Sequence, residues 1–270
     1  MPASNSLLPH ILTIADAAGA LAMSQWAADV PNPTRRDKGR NSPVCDADLA
    51  VDALLRARLG ALVPEAAWLS EESAETVGRS DHALAWVIDP IDGTRDFVRG
   101  RRGWAVSIAL VEQGDVRIGV LIAPARGERW WAVAGGGAYR NDARLHVGTH
   151  ATLAGARVPI DDLHGIDMDY TIVEKPNGIA LRMAMVAANE ADLVAGLRRS
   201  GEWDLAAADL IAREAGATVT DALGTAIRYN KAEPKVTGLL CGVPVLHDAA
   251  LERVRARAVK LLRQEGGGAE

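Results

Sequence analysis

Two carboxylates three residues apart, Asp89 and Asp92, stand in the run Asp89-Pro90-Ile91-Asp92-Gly93-Thr94, directly after the apolar stretch Leu84–Ile88. Pro90 stiffens the turn, so both acids can converge at little entropic cost. The backbone carbonyl of Ile91 adds a further hard oxygen. Mg²⁺ takes oxygen ligands in near-octahedral geometry at about 2.0–2.1 Å, so preset carboxylates suit it. Gly93 and Thr94 open the short helical segment that continues through Arg95, Asp96 and Phe97. Free N–H groups at a helix start bind phosphate oxygens. Further acids sit at element boundaries: Glu71 and Glu72 after Ala66–Leu69, Asp204 where a helix opens, and Asp48 just inside another helix. Strand ends are the usual place for active-site groups in layered α/β proteins. Singly, each has an ordinary alternative as a capped turn or a solvated acid. Together they point to a divalent metal acting on a phosphate ester.

The elements that must position them follow from periodicity and breakers. Apolar residues at helical spacing predict a helix over about 6–29, closed by Pro31 and Pro33, and a loop over 31–43. A second helix is expected over about 46–62, with Asp46 as its cap. Short apolar runs predict strands at 66–69, 84–88, 105–112, 117–124 and 129–135. Several are joined as hairpins through Gln113-Gly114-Asp115 and Ala125-Arg126-Gly127, and Gly135, Gly136 and Gly137 read as a turn. After Asn141 strands and helices alternate. Helices are expected over about 179–189, over 204–215 with Gly216 as its stop, and over 248–264. The change of pattern near 145 suggests two lobes sharing one body. Residues 1–145 form an α+β lobe with the metal-binding loops, 146–265 an α/β lobe supplying Asp204 and substrate contacts, and 266–270 a frayed tail.

With 270 residues, 49% hydrophobic, the chain can bury a large core of Ala, Leu and Val with seven Trp and one Phe. A net charge of −5 gives no reason to expect a nucleic-acid polymer or an anionic membrane as partner. The two cysteines, Cys45 and Cys241, have no metal-ligand or disulfide spacing, and the six His have no ligand spacing. The N-terminus lacks a secretion signal, and no segment reads as long and apolar enough to span a bilayer, so a cytoplasmic setting is expected.

The run Trp86–Thr94 resembles the first signature of the inositol monophosphatase family, and Trp203–Ala217 resembles its second. Leu69–Ser73 is similar to the family's Glu-Glu loop, and Lys38, Ser42–Val44 and Ala47–Asp48 to the segment before the second helix. These motifs fall in family order from about residue 8 to 255. The resemblance implies a layered αβαβα sandwich and Mg²⁺-dependent, Li⁺-sensitive phosphomonoester hydrolysis. By motif position, Glu71, Asp89, Asp92, Asp204 and the Ile91 carbonyl would bind two or three Mg²⁺. Asp48 and Thr94 would position and deprotonate the attacking water, with Glu71 assisting. The phosphate would lie against Asp92 and the N–H groups of Gly93 and Thr94. Glu72 and Asp209 would be structural, and Asp96 either a cap or a contact to water.

Family members cleave inositol monophosphates, 3'(2'),5'-bisphosphate nucleotides, fructose 1,6-bisphosphate or histidinol phosphate. Inositol phosphatases carry an acid seven places before the second-signature Asp; here that place is Leu197. They carry a small hydroxyl residue where this chain has Ile179, within Gly178-Ile179-Ala180. Arg95-Asp96-Phe97, Arg99-Gly100, Lys175-Pro176 and Tyr229-Asn230 look like bacterial bisphosphate nucleotidases. The expectation is therefore cleavage of adenosine 3',5'-bisphosphate, with Gly178, Arg198 and Arg199 as substrate contacts. An inositol-1-monophosphatase, or a histidinol-phosphate or fructose-1,6-bisphosphate phosphatase, is the alternative, and a non-catalytic metal- or ligand-binding member is the rival of another class. Partners are a small phosphorylated metabolite and, by resemblance, a second copy of the chain. Cys45 stands where the family usually has Thr.

Overall fold

The computed structural model describes residues 4–31, 36–37, 43–73, 75–163 and 165–266. Lys38, Ser42 and all of the tail but Gly266 lie outside them. Strands are numbered here for the two larger sheets only.

Seven strands form the main sheet in sequence order: β1 (Ala67–Ser70), β2 (Leu84–Asp92), β3 (Ala105–Glu112), β4 (Asp115–Ala123), β5 (Glu128–Val133), β6 (Gly137–Arg140) and β7 (Ala143–Arg144). β1 runs parallel to β2, and every later neighbour is antiparallel. All nine residues of β2 are buried, as its unbroken apolar run requires of a strand covered on both faces. The β3–β4 hairpin turns on Gln113 (φ 51°) and Gly114 (φ 85°), the doubly left-handed geometry that matches strand twist.

The two faces of β2 divide the core. Trp86 and Ile88 point to one side, where α1 (Ser4–Met23) contributes Ile11, Ala15, Ala18 and Ala22 and α2 (Asp46–Leu62) contributes Val51, Leu55 and Leu59. Val87 points to the other, towards α4 (Ile179–Ala187) and α5 (Ala206–Glu214). Behind these two helices lies a second sheet, ordered β8 (Leu193–Gly196), β10 (Leu239–Gly242), β9 (Thr218–Thr220), with α6 (Pro244–Gly266) against β10. The layers are helix, sheet, helix, sheet, helix, as expected. Alanine makes the tight middle layer possible: a Cβ on Gly119 of β4 would stand 2.5 Å from the Ala207 carbonyl of α5. Helix and sheet therefore touch backbone to backbone there.

Several boundaries differ from expectation. The first helix ends at Met23 and not near 29, because the Ser24 hydroxyl bonds the Leu21 carbonyl (2.6 Å) and the chain tightens into short-range turns at Gln25 and Trp26. The second is capped from Cys45, not Asp46: the Asp48 carboxylate reaches back to the Cys45 N–H (2.8 Å). The last begins at Pro244, which suits a first helical position because its missing N–H would be unpaired anyway. One helix, over Ser6–Met23 with mean hydropathy 1.4, is apolar and long enough to cross a membrane by length and composition, contrary to the reading that no segment is. In the structure its Ile11–Ala22 stripe packs on the main sheet.

Candidate active site

The site forms where β2 stops. Asp89 pairs with Ser107 of β3 and Asp92 with Ala105, so β2 carries one residue more than its partner over this stretch. Such a bulge turns side chains out of the regular alternation. Pro90 has no N–H for the ladder, and the Asp89 carboxylate instead accepts the Ile91 N–H (3.0 Å), a closed Asx turn. The parallel pairing of β1 brings Glu71 alongside, its N–H donating to the Ile88 carbonyl (3.3 Å). Ser70 anchors that end of β1 by donating to the buried Asp52 of α2 (2.5 Å). Asp204 arrives on the loop leading into α5, with its carboxylate accepting the Gly201 N–H (2.8 Å).

Oxygens of Glu71, Asp89 and Asp204 thereby come within 4.8 Å of one another. Asp89 is buried, and burial, then the charges of Glu71, Asp92 and Asp204, pushes its carboxyl well above the usual carboxylate range. Burial also lifts Asp204 to about 8, with Glu71 next in effect, and Asp92 to about 7. Carboxyls set this close resist ionisation because nothing neutralises their charge, and an oxygen-preferring divalent cation is their natural complement.

The other expected residues fall into three groups. Thr94 and Asp48 face this cluster: the Thr94 hydroxyl donates to the Ile91 carbonyl (2.9 Å) and stands 3.4 Å from Asp48 Oδ1. The other Asp48 oxygen is held by the Cys45 N–H and by its thiol (2.9 Å). Asp92 lies at the edge, its carboxylate accepting the N–H groups of Ile179 (3.1 Å) and Ala180 (2.8 Å) at the start of α4. Gly178 permits that approach, since a Cβ there would lie 2.6 Å from Asp92 Oδ2; its own N–H donates to the Gly103 carbonyl (2.8 Å).

Glu71, Asp89, Ile91, Asp92, Gly93, Thr94 and Asp204 line one open cleft of about 370 Å³. Arg199 lines it too, although its guanidinium pairs with Glu233 (2.7 Å); Arg198 is exposed and outside that lining. Leu197 belongs to a separate cavity of about 130 Å³ with Tyr170 and Val254. Tyr229 and Asn230 serve the frame: Tyr229 donates to Asp209 (2.8 Å), and Asn230 joins Arg79 and Glu202. Asp96 caps the chain at Asn177 (3.0 Å). Sequence reasoning missed the bracing role of Arg182, which donates to the Pro176 and Asn177 carbonyls (2.8 and 2.7 Å) and lies near Asp92. Nothing local distinguishes that arginine, because its partners are backbone oxygens upstream of its helix. Arg95 and Asn177 were likewise not assigned to the cleft that they line.

A family model described as "Inositol monophosphatase family" matches residues 5–259. The chain belongs to the inositol monophosphatase family. Family members are Mg²⁺-dependent phosphatases, and this one is an enzyme of that class. A histidinol-phosphatase of Mycobacterium tuberculosis is 36% identical over 91% of this chain and 96% of its own length. A 3'(2'),5'-bisphosphate nucleotidase of Aggregatibacter actinomycetemcomitans is 31% identical over 84% and 88%. The solved structure of an IMPase of Thermotoga maritima superposes with a TM-score of 0.80 at 26% identity, covering 94% of this chain and 98% of that one. The family's fold is thus present almost end to end.

The raised acids make a pH prediction for this phosphatase. A carboxyl that is harder to ionise in the folded state favours folding below its unfolded pKa of about 4, and that contribution is lost as pH rises through the folded value. For Asp92 and Asp204 the loss is complete by about 7 and about 8. Metal competes with those protons. The rise in melting temperature on adding Mg²⁺ to EDTA-stripped protein therefore grows between about pH 5 and pH 8. A Mg²⁺-induced rise that stays flat over that interval in a melting series would contradict the assignment.

Proposed function

We propose that this protein hydrolyses the phosphate monoester of a small anionic metabolite with Mg²⁺ as its ion, and that adenosine 3',5'-bisphosphate is a substrate of the right chemistry. The observation that carries the reading is the convergence of Glu71, Asp89 and Asp204 opposite the Thr94–Asp48 pair. Glu71, Asp89, Asp204 and the Ile91 carbonyl are the ion ligands in this reading, and Asp92 can join them while capping α4, since each carboxylate oxygen has a second lone pair. When bound, such ions supply Lewis acidity and ready ionisation of water.

The residues of the chain do the rest. Thr94 donates to Ile91 and so keeps its oxygen lone pairs for a water in the cleft. When its hydroxyl turns to Asp48 Oδ1, which the Cys45 cap leaves facing it, Thr94 gives its own proton to the carboxylate as its oxygen takes one from the water. The phosphate lies against Gly93 and Thr94. Arg95 and Arg199 at the rim favour an anionic leaving group over a cationic one.

Histidinol phosphate is the second reading, favoured by the 36% identity to a protein of that name. A phosphate-release assay on adenosine 3',5'-bisphosphate, histidinol phosphate and inositol 1-phosphate, with Mg²⁺ and with EDTA, decides between them. Loss of release in EDTA and a preference for the bisphosphate are expected. Release that survives EDTA removes the metal assignment, and a preference for histidinol phosphate removes the anionic-substrate reading. The same reading places the enzyme in the cytoplasm, as a homodimer.

A further inference from the structure

Next to the catalytic cleft, between α3 (Thr94–Val98) and the segment 174–177, lies a second cavity of about 370 Å³. The two share Arg95 and Asn177 in their walls. In a chain of net charge −5, this cavity gathers Arg95, Arg99, Arg101, Arg102 and Lys175. Its acids are already engaged. Asp161 pairs with Lys175, Glu174 with Arg126 (3.0 Å), and Asp96 accepts the Asn177 N–H (3.0 Å). Arg99, Arg101 and Arg102 present exposed guanidinium groups around the opening.

The far wall is rigid. Arg182 holds the Pro176 and Asn177 carbonyls, and Gly103 packs so closely that a Cβ would meet Asp96 Oδ2 at 2.1 Å and the Asn177 nitrogen at 2.8 Å. Ordinary surface arginines spread apart to lower their mutual repulsion. Here four of them stand on one short stretch, facing a built concavity that opens beside the reaction centre. Guanidinium groups meet phosphate oxygens in a bidentate fork, so several around one hollow make a phosphate receptor.

We propose that this cavity binds the second phosphate of a bisphosphorylated substrate whose scissile phosphate lies in the adjoining catalytic cleft. The proposal rests on the phosphatase reading of that cleft and adds the residues that hold the second phosphate. It moves the second-phosphate contact from Arg198 and Arg199 to Arg99, Arg101 and Arg102 of the adjoining cavity. An ester carrying an ammonium group would be repelled from the same hollow.

The test compares adenosine 3',5'-bisphosphate with adenosine 3'-monophosphate, which differ only in the second phosphate. Binding is measured by calorimetry with Ca²⁺ replacing Mg²⁺ to stop turnover, in the wild type and in the Arg101→Ala/Arg102→Ala double variant. The wild type should bind the bisphosphate about tenfold more tightly than the monophosphate, and the variant should bind the two within about twofold. Melting temperature and turnover of p-nitrophenyl phosphate should not change, and Arg101→Lys/Arg102→Lys should recover part of the preference. A wild type without preference, or a double variant that keeps it, overturns the proposal. Failure of the phosphatase reading shows separately, as absent Mg²⁺-dependent release from p-nitrophenyl phosphate in the wild type.

Discussion

Asp89→Asn lowers kcat about a thousandfold, equivalent to about 4 kcal/mol of activation free energy, while raising the melting temperature of the metal-free protein. Both effects come from one feature of the site. Asp89 is the buried member of the group with Glu71 and Asp204, and its ionisation is opposed by burial and by four neighbouring carboxylates. The amide keeps the shape of the side chain and its acceptor oxygen for the Ile91 N–H, so the Asx turn survives. It removes the charge, and with it both the repulsion in the metal-free state and, on the function proposed above, a principal ligand for the cation. The pairing of gain and loss distinguishes a ligand from a structural acid, whose replacement would lower stability and activity together. Melting curves with EDTA and with Mg²⁺, alongside single-substrate kinetics, read both. If the variant melted lower than the wild type in EDTA, or kept its turnover, the role given to Asp89 would be wrong.

Gly93→Ala should be the most damaging of the small substitutions, costing about 3 kcal/mol or more of stability and about a hundredfold in kcat. Gly93 has φ 92°, a region that strains any L side chain. Space is the second obstacle: an added Cβ would lie 2.6 Å from the Gly103 carbonyl and 2.7 Å from the Gly178 nitrogen, both backbone atoms. Those two are hydrogen-bonded to each other (2.8 Å), so neither can retreat without opening the junction of α3, β3 and α4. Asp92 would then lose its seat on the Ile179 and Ala180 N–H groups, and Thr94 its line to Asp48. Chemical denaturation and kinetics check this directly. Near-wild-type values in both would show that the turn tolerates rearrangement and that its geometry does not set the rate.

The turn that carries Asp89 and Asp92 was legible because it is local. Asp89, Pro90, Ile91, Asp92, Gly93 and Thr94 form one continuous stretch whose residue types already specify a break in a strand, a turn and a helix start. The strand pattern was legible for the same reason: short apolar runs between turns mark β1 to β5 to within about two residues at each end, except that β2 runs on through a bulge to Asp92 and so includes the acids expected to follow it. Helix ends were less so. Cys45 in place of Asp46 as cap, and the early end of α1, depend on which neighbouring side chain reaches the free backbone groups first.

Substrate contacts were the least legible part. Gly178, Arg198 and Arg199 were expected as substrate contacts, Leu197 marked the place of a lost acid, and Tyr229-Asn230 carried part of the nucleotidase resemblance. Only Arg199 lines the cleft; Leu197 faces another cavity, and Tyr229 and Asn230 are spent on Asp209, Arg79 and Glu202. Their destinations depend on how the loops after β8 and β9 fold over the second sheet. A linear pattern carries no term for that.

The carboxylates at strand ends and helix starts, the apolar periods between them and the small residues of α5 were determined by the sequence itself, because each expresses a local preference or a burial period. Only the tertiary structure decided that Glu71, Asp89 and Asp204 meet within 4.8 Å while Asp92 is drawn aside to cap α4. It alone placed the arginines after α3 beside the cleft. The physical reason is that side chains far apart in the chain are brought together by sheet register and helix packing. Here the decisive contacts are the parallel pairing of β1 with β2 and the backbone approach of α5 at Gly119.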